Sequence, residues 1–263
     1  MCDCDIKKLV DDAIAWAREA GEVQLKYFRS SHLNIRAKFN DSDIVTEADK
    51  ASEQVIINNI NRTYPQHAIL SEEMGGNAIE SDYRWIIDPL DGTTNFSNGL
   101  PMFSVSIAVE YRGEVIVGVV YAPYLDEMFH AVKGGGAWLN GKPIAPSGKE
   151  SLSHSVVTTG FPVDKDTTTD NNLDNVSRVL PRVRGMRRLG SAAIDLCYVA
   201  AGFLDGYWEM NLHTWDVAAG QLIVQEAGAC YSHFRTDRNI SVVAATPLIF
   251  ETLYSLLASE APK

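Results

Sequence analysis

The stretch Trp85-Ile-Ile-Asp88-Pro-Leu-Asp91-Gly-Thr93-Thr94-Asn95-Phe96 sets two carboxylates close together at the end of an apolar run. The run reads as a short buried strand ending at Asp88, and Pro89, which has no N–H to donate, is expected to force a turn there. Two carboxylates aimed at one point repel each other, so either one is neutral or a cation sits between them. A hard divalent cation such as magnesium suits an all-oxygen environment, and a sharp turn would also expose the carbonyl of Leu90 as a ligand. Gly92 lets backbone approach a ligand closely. If a helix starts at Thr93, its free N–H groups favour a phosphate. The competing reading is that Asp-Pro-Leu-Asp-Gly serves turn geometry alone.

Other acidic positions carry the same ambiguity. Glu72 and Glu73 follow the apolar Ala68-Ile69-Leu70, as ligands at a strand end or as a solvated loop. Asp216 opens a strongly apolar helix and either binds a ligand or complements the helix dipole. Thr46 and Asp49 have the spacing of a capping box; Asp49 could also orient a water with help from Thr93. Gly134-Gly135-Gly136 precedes an Asn-Gly turn rather than a helix, so it is not a dinucleotide fingerprint. The 6 histidines contain no His-x-x-x-His pair, which argues against a zinc protease. His213 reads as structural, Ser104 and Ser106 have no evident base, and Arg187 and Arg188 fit a surface role better than a phosphate contact.

The elements that must position these residues follow from periodicity. Residues 5–30 form an amphipathic helix, and a second helix runs from Glu47 to Arg62 with Thr46 as N-cap, after a polar break at Asn40, Asp41, Ser42 and Asp43. Phe103 to Glu110 and Glu114 to Tyr121 alternate as strands around Arg112-Gly113. Glu127 to Val132 is a third strand, and Asn140-Gly141 is a hairpin turn. Beyond Pro146 the order is a strand at Ser155–Thr159, a helix at Asn171–Leu180, a helix at Ser191–Ala201 and a strand at Gly206–Met210. A helix at Trp215–Ala227, a strand at Ser241–Ala245 and a helix at Pro247–Ala258 complete it. This predicts residues 1–145 as an antiparallel sheet packed on helices and residues 146–263 as a more α/β half.

With 46% hydrophobic and 22% charged residues, the chain has the composition of a soluble globular protein. Its net charge of −11 disfavours nonspecific nucleic-acid or membrane-surface binding. The N-terminus MCDCDIKKLVDD shows no secretory pattern, and no run is long and apolar enough for a membrane span. A cytoplasmic location is expected, with Cys197 and Cys230 reduced in the core and Cys2 and Cys4 in a solvated tail.

Together these segments resemble the inositol monophosphatase family. Trp85 to Asn98 fits its first signature and Trp215 to Ala229 its second. Asp43 to Asp49 and Glu72-Glu73 fit its earlier elements in order, and Gly134 to Gly141 another. The likeness covers roughly residues 5–258. It implies a layered α-β-α-β-α sandwich, usually dimeric, and a lithium-sensitive phosphatase using two or three Mg2+ ions. Glu72, Asp88, the Leu90 carbonyl and Thr93 would hold the first metal; Asp88, Asp91 and Asp216 the second; Glu72 would help place a third. Thr93 and Asp49 would activate the attacking water for in-line attack. The phosphate would rest on Gly92 and Thr93, and Gly190, Ser191, Ala192 and Glu209 match polyol contacts. The expected substrate is a small polyol phosphate, myo-inositol monophosphate first. A fructose bisphosphate, histidinol phosphate or 3′-phosphoadenosine nucleotide would fit the same fold. Leu90 replaces a more usual β-branched residue, and Gly160–Gly185, where the family varies with substrate, matches no particular subgroup. Outside this reading stand a catalytically idle interaction module and a glycosidase with paired carboxylates.

Overall fold

The computed structural model describes residues 3–30, 33–38 and 44–258, with the side chains of residues 3–5 excepted. The expectations for Cys2, Asn40, Asp41, Ser42, Asp43 and the Cys4 side chain lie outside the described residues. Helices α1 (Asp3–Tyr27) and α2 (Glu47–Thr63) cover one face of a large sheet, and a two-stranded ribbon, β1 (Arg36–Ala37) and β2 (Ile44–Val45), lies between them in sequence.

The sheet contains β3 (Ala68–Ser71), β4 (Gly75–Gly76), β5 (Tyr83–Asp91), β6 (Ser104–Tyr111), β7 (Glu114–Ala122), β8 (Glu127–Val132), β9 (Ala137–Leu139) and β10 (Lys142–Pro143). Their order is β10-β9-β8-β7-β6-β5-β3-β4. Only β3 and β5 pair in parallel. The short helix α3 (Thr93–Ser97) follows β5 directly. A second sheet of β11 (Val156–Thr159), β12 (Gly185–Arg187), β13 (Gly206–Leu212), β14 (Cys230–Arg235) and β15 (Ile240–Ala245) has the order β12-β11-β13-β15-β14.

Helices α5 (Ala192–Ala200) and α6 (Thr214–Glu226) fill the space between the sheets, while α4 (Leu173–Val179) and α7 (Pro247–Ala258) cover the outer face of the second. The expected α-β-α-β-α layering is therefore present. Three apolar clusters fill its four interfaces: Trp16, Ile56, Trp85 and Ile107 under the first helix layer; Phe129, Leu196, Ile223 and Val242 on both sides of the middle one; Trp208, Val243, Ile249 and Leu253 under the last.

Two differences from the sequence expectation concern strands. β5 does not end at Asp88 but runs through Pro89 to Asp91, with an irregular register against β6 between Asp88 and Asp91. β3 pairs with β5 only as far as Ile87, so Pro89 sits where one edge is free and its missing N–H costs nothing. β12 and β14 were not expected, because both are half-exposed and short of apolar alternation.

The middle helix layer lies close against the large sheet. A Cβ on Gly118 of β7 would come within 2.7 Å of the Ala219 carbonyl oxygen of α6. Gly118→Ala should therefore push α6 off the sheet and cost about 1–3 kcal/mol, read from urea unfolding.

Candidate active site

The acidic side chains singled out in the sequence come from α2, the turn after β3, the end of β5 and the start of α6. Asp49 stands at the third position of α2. Its Oδ2 accepts from the Thr46 N–H at 2.8 Å and the Thr46 hydroxyl at 2.6 Å, closing the capping box. Its Oδ1 lies 3.0 Å from the Thr93 hydroxyl, which is also 3.1 Å from the Leu90 carbonyl oxygen. The cap thus uses one oxygen of Asp49 and leaves the other facing Thr93. Burial raises the Asp49 carboxyl to about 6, against the opposing hydrogen bonds from Thr46 and Thr93.

Asp216 repeats the arrangement at the third position of α6, where its Oδ2 accepts from the N–H of the N-cap His213 at 2.7 Å. His213, stacked on Trp215, is structural as expected.

The irregular end of β5 delivers the central pair. Asp88 is 2% exposed and its Oδ1 accepts from the Leu90 N–H at 3.0 Å. The buried Gln24 of α1 donates to the Pro89 carbonyl at 2.7 Å and so fixes this bend from behind. Asp91 points to the start of α5, where Ala192 N–H donates to Oδ1 at 3.2 Å and Ala193 N–H to Oδ2 at 2.8 Å. The Ser191 hydroxyl also donates to Oδ2. Ser191 and Ala192, expected to touch a polyol, here direct these bonds to Asp91. Ser104 lies against Asp91 and Ser191, and Ser106 reaches the Trp215 carbonyl. These serines pack against Asp91, Ser191 and the start of α6.

Electrostatics tie the carboxylates into one cluster. Burial, then Glu72, Asp91 and Asp216, push Asp88 well above the usual carboxylate range. Burial raises Asp91 to about 7, with Asp216 adding to it and the bonds from Ser191 and α5 opposing. Glu72 is raised mainly by burial and hydrogen-bonds Asp88. Glu209 of β13 accepts from the Tyr207 hydroxyl at 2.8 Å and is raised to about 8, chiefly by burial, with the charges of Asp216 and Asp91 pushing the same way. The Gly160 backbone lies directly against the Glu209 carboxylate, where a Cβ would collide.

A cavity of about 150 Å³ opens beside this cluster, lined by Ile44, Glu72, Gly92, Thr93, Thr94, Arg188 and Gly190. Gly92 has φ +95°, and a Cβ there would meet the Met102 carbonyl oxygen at 2.8 Å, so only glycine fits. Arg188 is exposed, in keeping with the surface position expected of it, and also lines the cavity; it makes no hydrogen bond or short ion pair among the described residues, and its charge is felt by Glu209 and Asp195. Lys38 is a second cation that the sequence reading missed; it binds Glu72 at 2.6 Å and also pairs with Glu73. No sequence signal marks either contact, because both join segments distant in the chain. A larger cleft of about 330 Å³, lined by Asp170, Asn172, Asp174, Arg178 and Arg235 among others, lies elsewhere and is knitted by ion pairs such as Arg235–Asp170.

Among the described residues no three His, Cys, Asp or Glu side chains form a ready-made metal shell; Glu72 is turned onto Lys38 and Asp91 onto α5. The donor chemistry nonetheless fits a hard divalent cation. It consists of carboxylates and one backbone carbonyl, and the mutual repulsion that raises Asp88 and Asp91 is what a cation between them would relieve.

Comparison with known proteins identifies the family. The family description "Inositol monophosphatase family" matches residues 5–261. The Nus factor SuhB of Pasteurella multocida is 44% identical over 251 residues, covering 93% of this chain and 94% of that one. The solved inositol monophosphatase of Anabaena (Nostoc) is 37% identical with a TM-score of 0.86, covering 96% of each chain. The solved extragenic suppressor protein suhB of Bartonella henselae is 35% identical with a TM-score of 0.89, covering 97% of this chain and 100% of that one. No helix among the described residues is long and apolar enough to cross a membrane. The chain belongs to the inositol monophosphatase family, a family of metal-dependent phosphatases.

Proposed function

We propose that the chain is a Mg2+-dependent phosphomonoesterase acting on a small polyol phosphate, with myo-inositol monophosphate the first substrate to test. The observation that carries this is the Thr93 hydroxyl, suspended between Asp49 Oδ1 and the Leu90 carbonyl beside the carboxylate cluster. Glu72, Asp88, Asp91, Asp216 and the Leu90 carbonyl would hold the metal ions. When bound, the metals supply a nucleophile at neutral pH and charge stabilisation for in-line displacement. Thr93 orients the attacking water, and Asp49, raised to about 6, can accept its proton through the Thr93 hydroxyl near neutral pH. The Gly92 and Thr93 backbone seats the phosphate. Gly190 and Glu209, with Ser191 and Ala192 behind Asp91, form the side facing the alcohol; a carboxylate at Glu209 accepts from hydroxyls.

The test is phosphate release from inositol, fructose, histidinol and 3′-phosphoadenosine phosphates, with and without Mg2+. Release from the inositol ester that stops in EDTA supports the reading. Preference for another ester would reassign the substrate, and no release from any would remove the activity. Arg188 is expected to attract the anionic substrate. Arg188→Gln should raise KM about tenfold and leave kcat within about threefold; an unchanged KM would return Arg188 to the surface role.

We also propose a cytoplasmic homodimer, each chain of which divides near residue 145 into an N-terminal half, 1–145, and a C-terminal half, 146–263. A second role rests on the names of relatives: as Nus factors they point to a protein partner in transcription, and a net charge of −11 suits a protein surface better than bare RNA. A catalytically inactive variant that still binds that partner would separate the two roles.

A further inference from the structure

A carboxylate removed from water must find donors or a counter-ion. Glu53 is 8% exposed and forms no ion pair among the described residues. It lies on α2 one turn after Asp49, on the same helical face. A single oxygen, Oε1, accepts from the Ser71 hydroxyl, from the Glu73 N–H at 3.1 Å and from the Met74 N–H at 3.0 Å. These three donors bracket Glu72 in the chain. The Glu72 N–H itself donates to the Ile87 carbonyl of β5 at 3.2 Å. The turn after β3 is thus pinned from two sides, by β5 through Glu72 and by α2 through its neighbours.

We infer that Glu53 is a positioning residue for the metal site: it fixes the turn that aims Glu72 at the carboxylate cluster. The inference rests on the reading of Glu72 as a metal ligand. It makes α2 a common ruler for the site. From one face of one helix, Asp49 sets the Thr93 hydroxyl and, a turn later, Glu53 sets Glu72. The role rests on an acceptor oxygen at this point, because one oxygen serves three donors. Removing that acceptor leaves the Glu73 and Met74 N–H groups and the fully buried Ser71 hydroxyl without it. The turn is then free to swing, and Glu72 with it.

The test is Mn2+ binding to the full chain, followed by the electron paramagnetic resonance signal of free Mn2+, for the parent, Glu72→Gln, Glu53→Leu and Glu53→Gln. Glu72→Gln identifies the site that depends on Glu72. Glu53→Leu should weaken that same site at least about tenfold, the usual effect of losing a partner that orients a ligand. Glu53→Gln, which keeps an acceptor oxygen, should recover to within about threefold of the parent. Phosphate release should follow: the Mg2+ concentration for half-maximal rate rises in Glu53→Leu, and kcat returns at saturating Mg2+, which a general loss of structure would not allow. If Glu53→Leu does not fold, the smaller Glu53→Ala, which also removes the acceptor for the Glu73 and Met74 N–H groups, should show the same loss. A parent-like isotherm for Glu53→Leu, or for Glu53→Ala, beside a weakened Glu72→Gln overturns the positioning role. A parent-like isotherm for Glu72→Gln itself overturns the metal-ligand reading on which the role depends.

Discussion

Asp91→Asn is expected to release phosphate at least about 10³-fold more slowly than the parent, the scale of losing a preorganised charge from a phosphoryl-transfer site, while still unfolding cooperatively. The two halves of this expectation have separate causes. In the proposed site Asp91 contributes negative charge to hold a cation, and asparagine contributes none. The fold, by contrast, uses Asp91 as an acceptor for Ser191, Ala192 and Ala193 at the start of α5. Asparagine keeps one accepting oxygen and turns an NH2 toward donors, so about 1–3 kcal/mol of stability should be lost. Because burial already raises Asp91 to about 7, a neutral side chain is tolerated there better than at a surface carboxylate. Rate assays on purified protein, with urea unfolding beside them, check both halves. Parent-like turnover would sink the role of Asp91, and a loss of rate explained by unfolding would leave it without support.

What was legible in the sequence was what depends on neighbours in the chain. The meander from Ser104 to Leu139 shows as alternation, with Arg112-Gly113 and Asn140-Gly141 at its turns, because period and turn chemistry are local. The capping box at Thr46 is local too, and its acid has two oxygens: at Asp49 one caps and the other reaches Thr93. Pro89 misled, since a proline stops a strand only where its missing N–H is needed, and β3 has already left β5 by that point. The seating of Asp91 on α5, about a hundred residues away, was out of reach, as were Gln24 behind Pro89, Lys38 on Glu72, and Arg188 at the cavity. Each is a long-range contact between residues whose types are common on any surface. The family likeness supplied the proposed ligand set; the packing that aims those side chains is visible only in three dimensions.

Without divalent cations the protein should lose stability as pH rises from about 5 to about 8, and Mg2+ should cancel most of that loss. Burial first, aided by neighbouring carboxylates, raises Asp49 to about 6, Asp91 to about 7 and Glu209 to about 8. Unfolded carboxyls titrate near 4, so between about pH 4 and pH 8 the folded chain holds protons that the unfolded chain has released. Stability is then fully present below the unfolded values and falls as pH passes through the folded ones. A tenfold change in a carboxyl's proton affinity on folding is worth about 1.4 kcal/mol, so a total fall of at least about 1–2 kcal/mol is expected. A cation among Glu72, Asp88, Asp91 and Asp216 would favour their charged forms, so its binding must expel protons. Urea unfolding in EDTA and in Mg2+ across this range measures the first effect. Calorimetric titration in two buffers of different ionisation enthalpy counts the second, at about one proton or more per cation near pH 7. Carboxylates that stay charged in the metal-free fold would give a flat profile over this range and no proton release, and the raised values on which this expectation rests would then be wrong.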